Sequence, residues 1–193
     1  MYAFLLSTAV IFVAELGDKS QLMAMTFATR YRVRDVIIGI TAATALVHLA
    51  SVGIGAFVGD RFEDSQGTIA IVAGVAFLLF AAWTWRGDEL TEEEAGKARS
   101  ATGAAIVAVG IAFFLAELGD KTMLATITLA TQEGWLGTWL GSTVGMVAAD
   151  ALAIVVGALL GRHLPERVIK IGATVAFVVF GLVLIAEGVG LFG

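Results

Sequence analysis

Long apolar runs alternate with short polar connections along the whole chain, and each run is close to the twenty or so residues that a bilayer-crossing helix needs. Hydropathy divides the sequence into six segments. They run from about Tyr2 to Thr29, Val36 to Gly59, Thr68 to Trp85, Gly103 to Thr131, Trp135 to Leu160, and Val168 to Leu184 or slightly beyond. The pattern predicts an all-α membrane protein of six transmembrane helices. The first run makes a poor signal peptide, because it lacks a basic start and contains Glu15, Asp18 and Lys19. It is expected to be a retained helix.

Two of the runs are interrupted by charge. Glu15-Leu16-Gly17-Asp18-Lys19-Ser20 lies in the middle of the first, and Glu117-Leu118-Gly119-Asp120-Lys121-Thr122 in the middle of the fourth. Six charges at bilayer depth cost roughly 15–20 kcal/mol if ionised and unpaired. Such residues usually mark an ion pathway.

The hexapeptides belong to a longer repeat. A shift of 102 aligns Phe12–Thr29 with Phe114–Thr131, with 11 of 18 positions identical. The same shift pairs Gly39 with Gly141 and Gly55 with Gly157, and a shift of 100 pairs Val75-Ala76-Phe77 with Val175-Ala176-Phe177. Three spans per repeat is an odd number, so the second copy is inverted relative to the first. Inverted repeats commonly carry their substrate site at the repeat interface near the midplane. The expected organisation is two inverted three-helix repeats, residues 1–86 and 102–193, joined by an acidic linker at 87–101. Thr91 and Glu94 fit a capping box for a short surface helix in that linker.

Charge sets the orientation. Arg30, Arg32, Arg34, Arg86, Lys97, Arg99, Arg162, Arg167 and Lys170 lie on one side, and only Arg61 on the other. The positive-inside rule puts the larger group and the linker in the cytoplasm, and both termini outside. Asp60, Glu63, Asp64 and Glu133 form an acidic outer rim, most simply a solvated face.

Composition removes other classes. Mean hydropathy is +0.91 and 59% of residues are hydrophobic, more than one soluble core of 193 residues could hide. No cysteine is present, which excludes disulfides and thiolate metal sites. No basic patch is interleaved with aromatics, so nucleic acid is not an expected partner. No His-Glu-x-x-His pattern occurs and the two histidines are far apart, so an enzyme is not expected.

The hexapeptides carry the candidate chemistry. In a regular helix Glu15 and Asp18 share a face, as do Glu117 and Asp120. These four carboxylates are the expected metal ligands, being hard donors suited to calcium, magnesium or manganese. Gly17 and Gly119 let a backbone or an ion approach, tolerate a local break, and are expected to line the path. Ser20 and Thr122 add hydroxyls. Four acids and two lysines leave −2, which matches one divalent cation. Alternatively, Lys19 and Lys121 each pair with an aspartate when no cation is present. Crowded carboxylates hold protons, and an arriving metal expels them. That is a physical basis for cation–proton exchange.

Other polar positions could contribute. His48 and Asp150 are equivalent in the repeat, Asp150 as extra ligand or proton carrier and His48 as a titrating neighbour. Gln21 follows the first hexapeptide, but its counterpart is Met123, which excludes a symmetric pair of amides. Met23, Met25 and Met123 are more simply packing residues than soft ligands. Thr26 and Thr128 match across the repeat as path-lining residues, and Glu187 is expected to reach water.

The duplicated hexapeptide, the three-plus-three plan and the acidic linker resemble the Golgi-type calcium/manganese–proton antiporter family, also known as uncharacterised protein family sixteen. Its signature, Glu-x-Gly-Asp-(Lys or Arg)-(Ser or Thr) present twice, is matched by both copies here, and the resemblance spans essentially the whole chain. It implies export of a divalent cation from the cytosol in exchange for protons, with Glu15, Asp18, Glu117 and Asp120 as ion-binding acids. The short length implies a bacterial member in the plasma membrane, for which manganese is favoured over calcium. No cofactor is implied beyond the transported ion, and a homodimer is compatible with this plan. An exporter of a small basic solute, such as an amino acid, is the alternative.

Overall fold

A computed structural model describes residues 1–61, 65–86, 104–160 and 166–191. Among the described residues eight α-helices follow one another and no strand occurs: α1 (Tyr2–Glu15), α2 (Lys19–Ala28), α3 (Val33–Arg61), α4 (Gln66–Arg86), α5 (Ala105–Glu117), α6 (Lys121–Ala130), α7 (Trp135–Leu160) and α8 (Glu166–Gly188). The linker with Thr91 and Glu94, and the rim residues Glu63 and Asp64, lie outside the described residues.

Among the described residues four helices are long and apolar enough to cross a membrane: α3, α4, α7 and α8. The first and fourth expected spans are not single regular helices. Each is a pair, α1 with α2 and α5 with α6, broken inside the hexapeptide. Leu16 is extended at φ −61° and ψ 124°, Gly17 has φ +75°, and the Asp18 N–H donates to the Glu15 carbonyl at 3.1 Å. That is a type II turn, whose third residue needs positive φ and so favours glycine. The second copy repeats it, with Leu118 at φ −66° and ψ 114°, Gly119 at φ +80°, and Asp120 N–H to Glu117 carbonyl at 3.2 Å. The expectation that Glu and Asp share one helical face is therefore corrected. Glu15 ends one helix and Asp18 is the N-cap of the next, because the glycine turns the chain between them.

Helix packing follows the repeat. α1 lies along α7 and α3 lies along α5, α2 packs on α7 and α6 on α3, and α4 pairs with α8. Close approach depends on glycine at equivalent places. A Cβ on Gly39 would meet the Ile106 carbonyl oxygen at 2.8 Å, and one on Gly141 would clash with that of Phe4. α3 crosses α7 where the Thr44 hydroxyl donates to the Met146 sulfur at 3.4 Å, and these two are themselves repeat counterparts.

The polarity is inside-out relative to a water-soluble fold. Leu46, Phe57 and Leu79 are 59%, 70% and 65% exposed, whereas Glu15 and Glu117 are 0% exposed. Apolar surface of this extent is stable against lipid, and the buried charge must find its partners within the protein.

Candidate functional site

Each hexapeptide folds into one compact unit. The Glu at the end of the first half-helix is reached by the hydroxyl two residues into the second. Ser20 Oγ donates to Glu15 Oε1, and Thr122 Oγ1 donates to Glu117 Oε2 at 3.0 Å. The hydroxyl spans the break that glycine opens, so both half-helices are held end to end. The glycine N–H is orphaned by the turn, and the residue four positions on accepts it. In the first copy this is Gln21 Oε1 at 2.8 Å; in the second it is Met123 Sδ at 3.2 Å. Gln21 also donates from Nε2 to the Ala149 carbonyl at 2.8 Å, which ties the first turn to α7 beside Asp150. Met123 cannot make such a link.

The two units meet. Lys121 Nζ forms an ion pair with Asp18 Oδ1, and Lys19 Nζ lies 3.5 Å from Asp120 Oδ1. Each lysine thus serves the aspartate of the other copy. All four acids are buried, with exposures of 0%, 1%, 0% and 3% for Glu15, Asp18, Glu117 and Asp120. Their charges are within mutual reach: Glu117, Asp18 and Asp150 act on Glu15, and Asp120, Asp18 and Asp150 act on Glu117. Asp150 is fully buried and belongs to this cluster.

Charge in the cluster is not balanced by donors. Glu15 Oε2, Glu117 Oε1 and both carboxylate oxygens of Asp150 have no hydrogen-bond donor among the described residues. Buried acceptors are normally satisfied, so such a group calls for a proton or a cation. The acids are not, however, arranged as a closed ligand cage. No three His, Asp or Glu side chains among the described residues are grouped to hold a metal ion as they stand.

The remaining expected residues separate. His48 is buried on α3 with neither ring nitrogen hydrogen-bonded among the described residues. Thr26 and Thr128 donate to the Leu22 and Leu124 carbonyls of their own helices, and Thr128 lines an apolar cleft of about 570 Å³ with Thr68, Val72 and Thr131. Gly17 and Gly119 are exposed, and a Cβ on Gly119 would meet nothing within 4 Å. Glu187 is exposed as expected. The sequence reading missed Met123 as an acceptor; its place four residues after Gly119, matching Gln21 after Gly17, was the available signal.

The sequence profile described as "Divalent cation/proton antiporter GDT1" matches residues 3–92 and 105–191. A Vibrio cholerae protein named "Putative manganese exporter" is 34% identical over 173 residues, covering 88% of this chain and 84% of its own. The Arabidopsis thaliana "Protein PAM71, chloroplastic" is 33% identical over 212 residues, covering 96% of this chain, which spans 56% of that longer protein. The Oryza sativa "GDT1-like protein 2, chloroplastic" is 29% identical over 206 residues, with 93% of this chain and 59% of that one covered. No solved structure matches.

Proposed function

The chain belongs to the divalent cation/proton antiporter GDT1 family, and from that premise we propose that it exports manganese from the cytosol, with calcium as a second substrate, in exchange for protons. The ion sits among Glu15, Asp18, Glu117 and Asp120. The similarity to the Vibrio cholerae protein supports manganese. The observation that carries the site is the mutual lysine–aspartate exchange, which draws both hexapeptides to one buried locus while Glu15 and Glu117 keep oxygens without donors.

In the form described, Lys19 and Lys121 hold the two aspartates. A divalent cation arriving at Glu15 and Glu117 competes with the lysines for Asp18 and Asp120. Protons on the cluster leave as the ion binds, so loading by metal and loading by protons exclude each other. Asp150 is the remaining acid in reach and takes a ligand or proton-carrying role, with Gln21 holding its backbone neighbour in place. The ends of α1 and α5 also point carbonyl groups toward the break, where a cation is favoured.

The architecture we infer is six membrane crossings in two inverted repeats, with α1–α2 and α5–α6 each making one crossing. Crosswise pairing of repeat counterparts supports it: Phe77 to Phe180 and Phe80 to Phe177 are both 6.1 Å between ring centroids. The similarity to the Vibrio cholerae protein supports a bacterial plasma membrane, and the asymmetry of arginine and lysine favours both termini outside and residues 87–101 inside.

Vesicles reconstituted with the protein and loaded with a manganese dye and a pH dye test the reading. Manganese entry coupled to proton exit is expected, abolished in Glu15→Gln and Asp120→Asn with folding intact. Full transport by both variants overturns the site. Lysine or arginine flux without metal flux favours a basic-solute exporter.

A further inference from the structure

The two repeats put opposite chemistry on the two approaches to the acidic cluster. α2, α3 and α5 pack mutually on one side of it, and α6, α7 and α1 pack mutually on the other. In the first junction Val36, Ile40, Val109, Phe27 and Phe113 form one apolar cluster, and all five are fully buried. A shift of 102 converts that cluster into hydroxyls and smaller groups. Val109 becomes Ser7, Val36 becomes Thr138 and Ile40 becomes Ser142. Ala24 becomes Thr126, while Phe27 and Phe113 become Leu129 and Ile11. All four hydroxyl residues are 0% exposed.

Two of these hydroxyls are not structural in any visible sense. Thr126 and Ser142 donate to carbonyls of their own helices, at Thr122 and Trp139. Ser7 Oγ and Thr138 Oγ1 have no hydrogen-bond partner among the described residues. A buried hydroxyl without a partner is destabilising, and an apolar side chain (valine, nearly the shape of threonine, at Thr138) would avoid that cost. The other repeat has valine at both equivalent positions and packs well with it.

We propose that Ser7, Thr138, Ser142 and Thr126 line a passage through the α1–α6–α7 junction, along which the hard divalent cation moves between the acidic cluster and the outer side. Hydroxyl oxygens replace part of the ion's water shell there, as oxygen donors do for such cations. The Phe27–Phe113 cluster in the opposite junction is the apolar seal, the two rings being 6.4 Å apart between centroids. The outward assignment of the passage rests on the site and topology proposed above.

The test uses the full chain in manganese-dye vesicles, with equilibrium manganese binding measured in detergent. Ser7→Val combined with Thr138→Val grafts the other repeat's residues onto this junction. Its manganese flux is expected to fall about tenfold or more, with manganese binding unchanged. Ser7→Thr combined with Thr138→Ser keeps both hydroxyls and is expected to transport. Wild-type flux in the valine pair, loss of manganese binding in it, or equal loss in both pairs overturns the passage. Because the chain has no cysteine, Ser7→Cys and Val109→Cys give a second measurement free of background labelling. A small cationic thiol reagent should modify the first and spare the second; equal reactivity overturns the proposal. Wild-type protein that moves no manganese is a separate result, which removes the transport reading and this passage with it.

Discussion

Lys121 of the second hexapeptide is ion-paired with Asp18 of the first, 103 residues earlier. The reciprocal pair, Lys19 with Asp120, is looser at 3.5 Å. This exchange of partners locks the two broken helices to each other. It also makes the lysines competitors of a cation for the same aspartates.

The two lysines should therefore differ. The Lys121 and Asp18 side chains are 4% and 0% exposed, against 14% for Lys19. Lys121→Met removes a buried ion-pair partner of Asp18 and is expected to cost about 3–5 kcal/mol. Lys19→Met should cost about 1–2 kcal/mol. Asp18→Asn added to Lys121→Met should recover part of the loss. Thermal unfolding in detergent measures all three, and equal shifts for the two lysines would contradict the asymmetry.

The helix break makes a separate claim on Gly119. With nothing within 4 Å of its would-be Cβ, only the φ of +80° penalises a side chain there. Gly119→Ala should cost about 1–2 kcal/mol. Gly53→Ala, equally open but within regular α3, should be neutral or stabilising by up to about 1 kcal/mol. A neutral Gly119→Ala would mean that the turn is not held.

Gln21 and Met123 occupy one role in two chemistries. Gln21→Met keeps an acceptor for the Gly17 N–H but loses the bond to the Ala149 carbonyl. A loss of about 1 kcal/mol is expected, together with slower manganese flux, because the Asp150 segment of α7 is no longer fixed. Met123→Gln should change neither stability nor flux. Equal effects of the two substitutions would remove the positioning role.

Glu133 gives a pH signature away from the acidic cluster. It lies in the 131–134 connection, where burial and then the Glu187 charge push its carboxyl above the usual 4.5. The folded protein keeps this proton to higher pH than the unfolded chain does. The carboxyl's contribution to stability is therefore full below the usual glutamate range and is lost as pH rises through the raised value. Unfolding followed from about pH 4 to about pH 7 should show that decline in the wild type and a flatter profile in Glu133→Gln. Partial solvent exposure keeps the difference small. An unchanged profile would mean that Glu133 is solvated like an ordinary surface acid.

Much of this was legible along the chain. The spacing of apolar runs located α3, α4, α7 and α8 within a few residues, because hydropathy is a local property. The hexapeptides stood out since charge at bilayer depth is costly wherever it occurs. The pairing of lysines with aspartates was one of two readings that charge arithmetic allowed, but the arithmetic did not say that the partners would be exchanged between copies. Continuous helix through Glu15–Asp18 was the wrong local picture. Helical periodicity continues through the motif, and only the left-handed Gly17 reveals the turn.

The sequence by itself determined the membrane-suited helices, the twofold internal copy and the acids at its centre, since composition, period and repeat act residue by residue. Tertiary structure alone decided which lysine meets which aspartate, that Asp150 joins the acids, and that Ser7 and Thr138 are buried without partners. Those outcomes depend on segments about a hundred residues apart being docked at side-chain distance, and no local pattern encodes that.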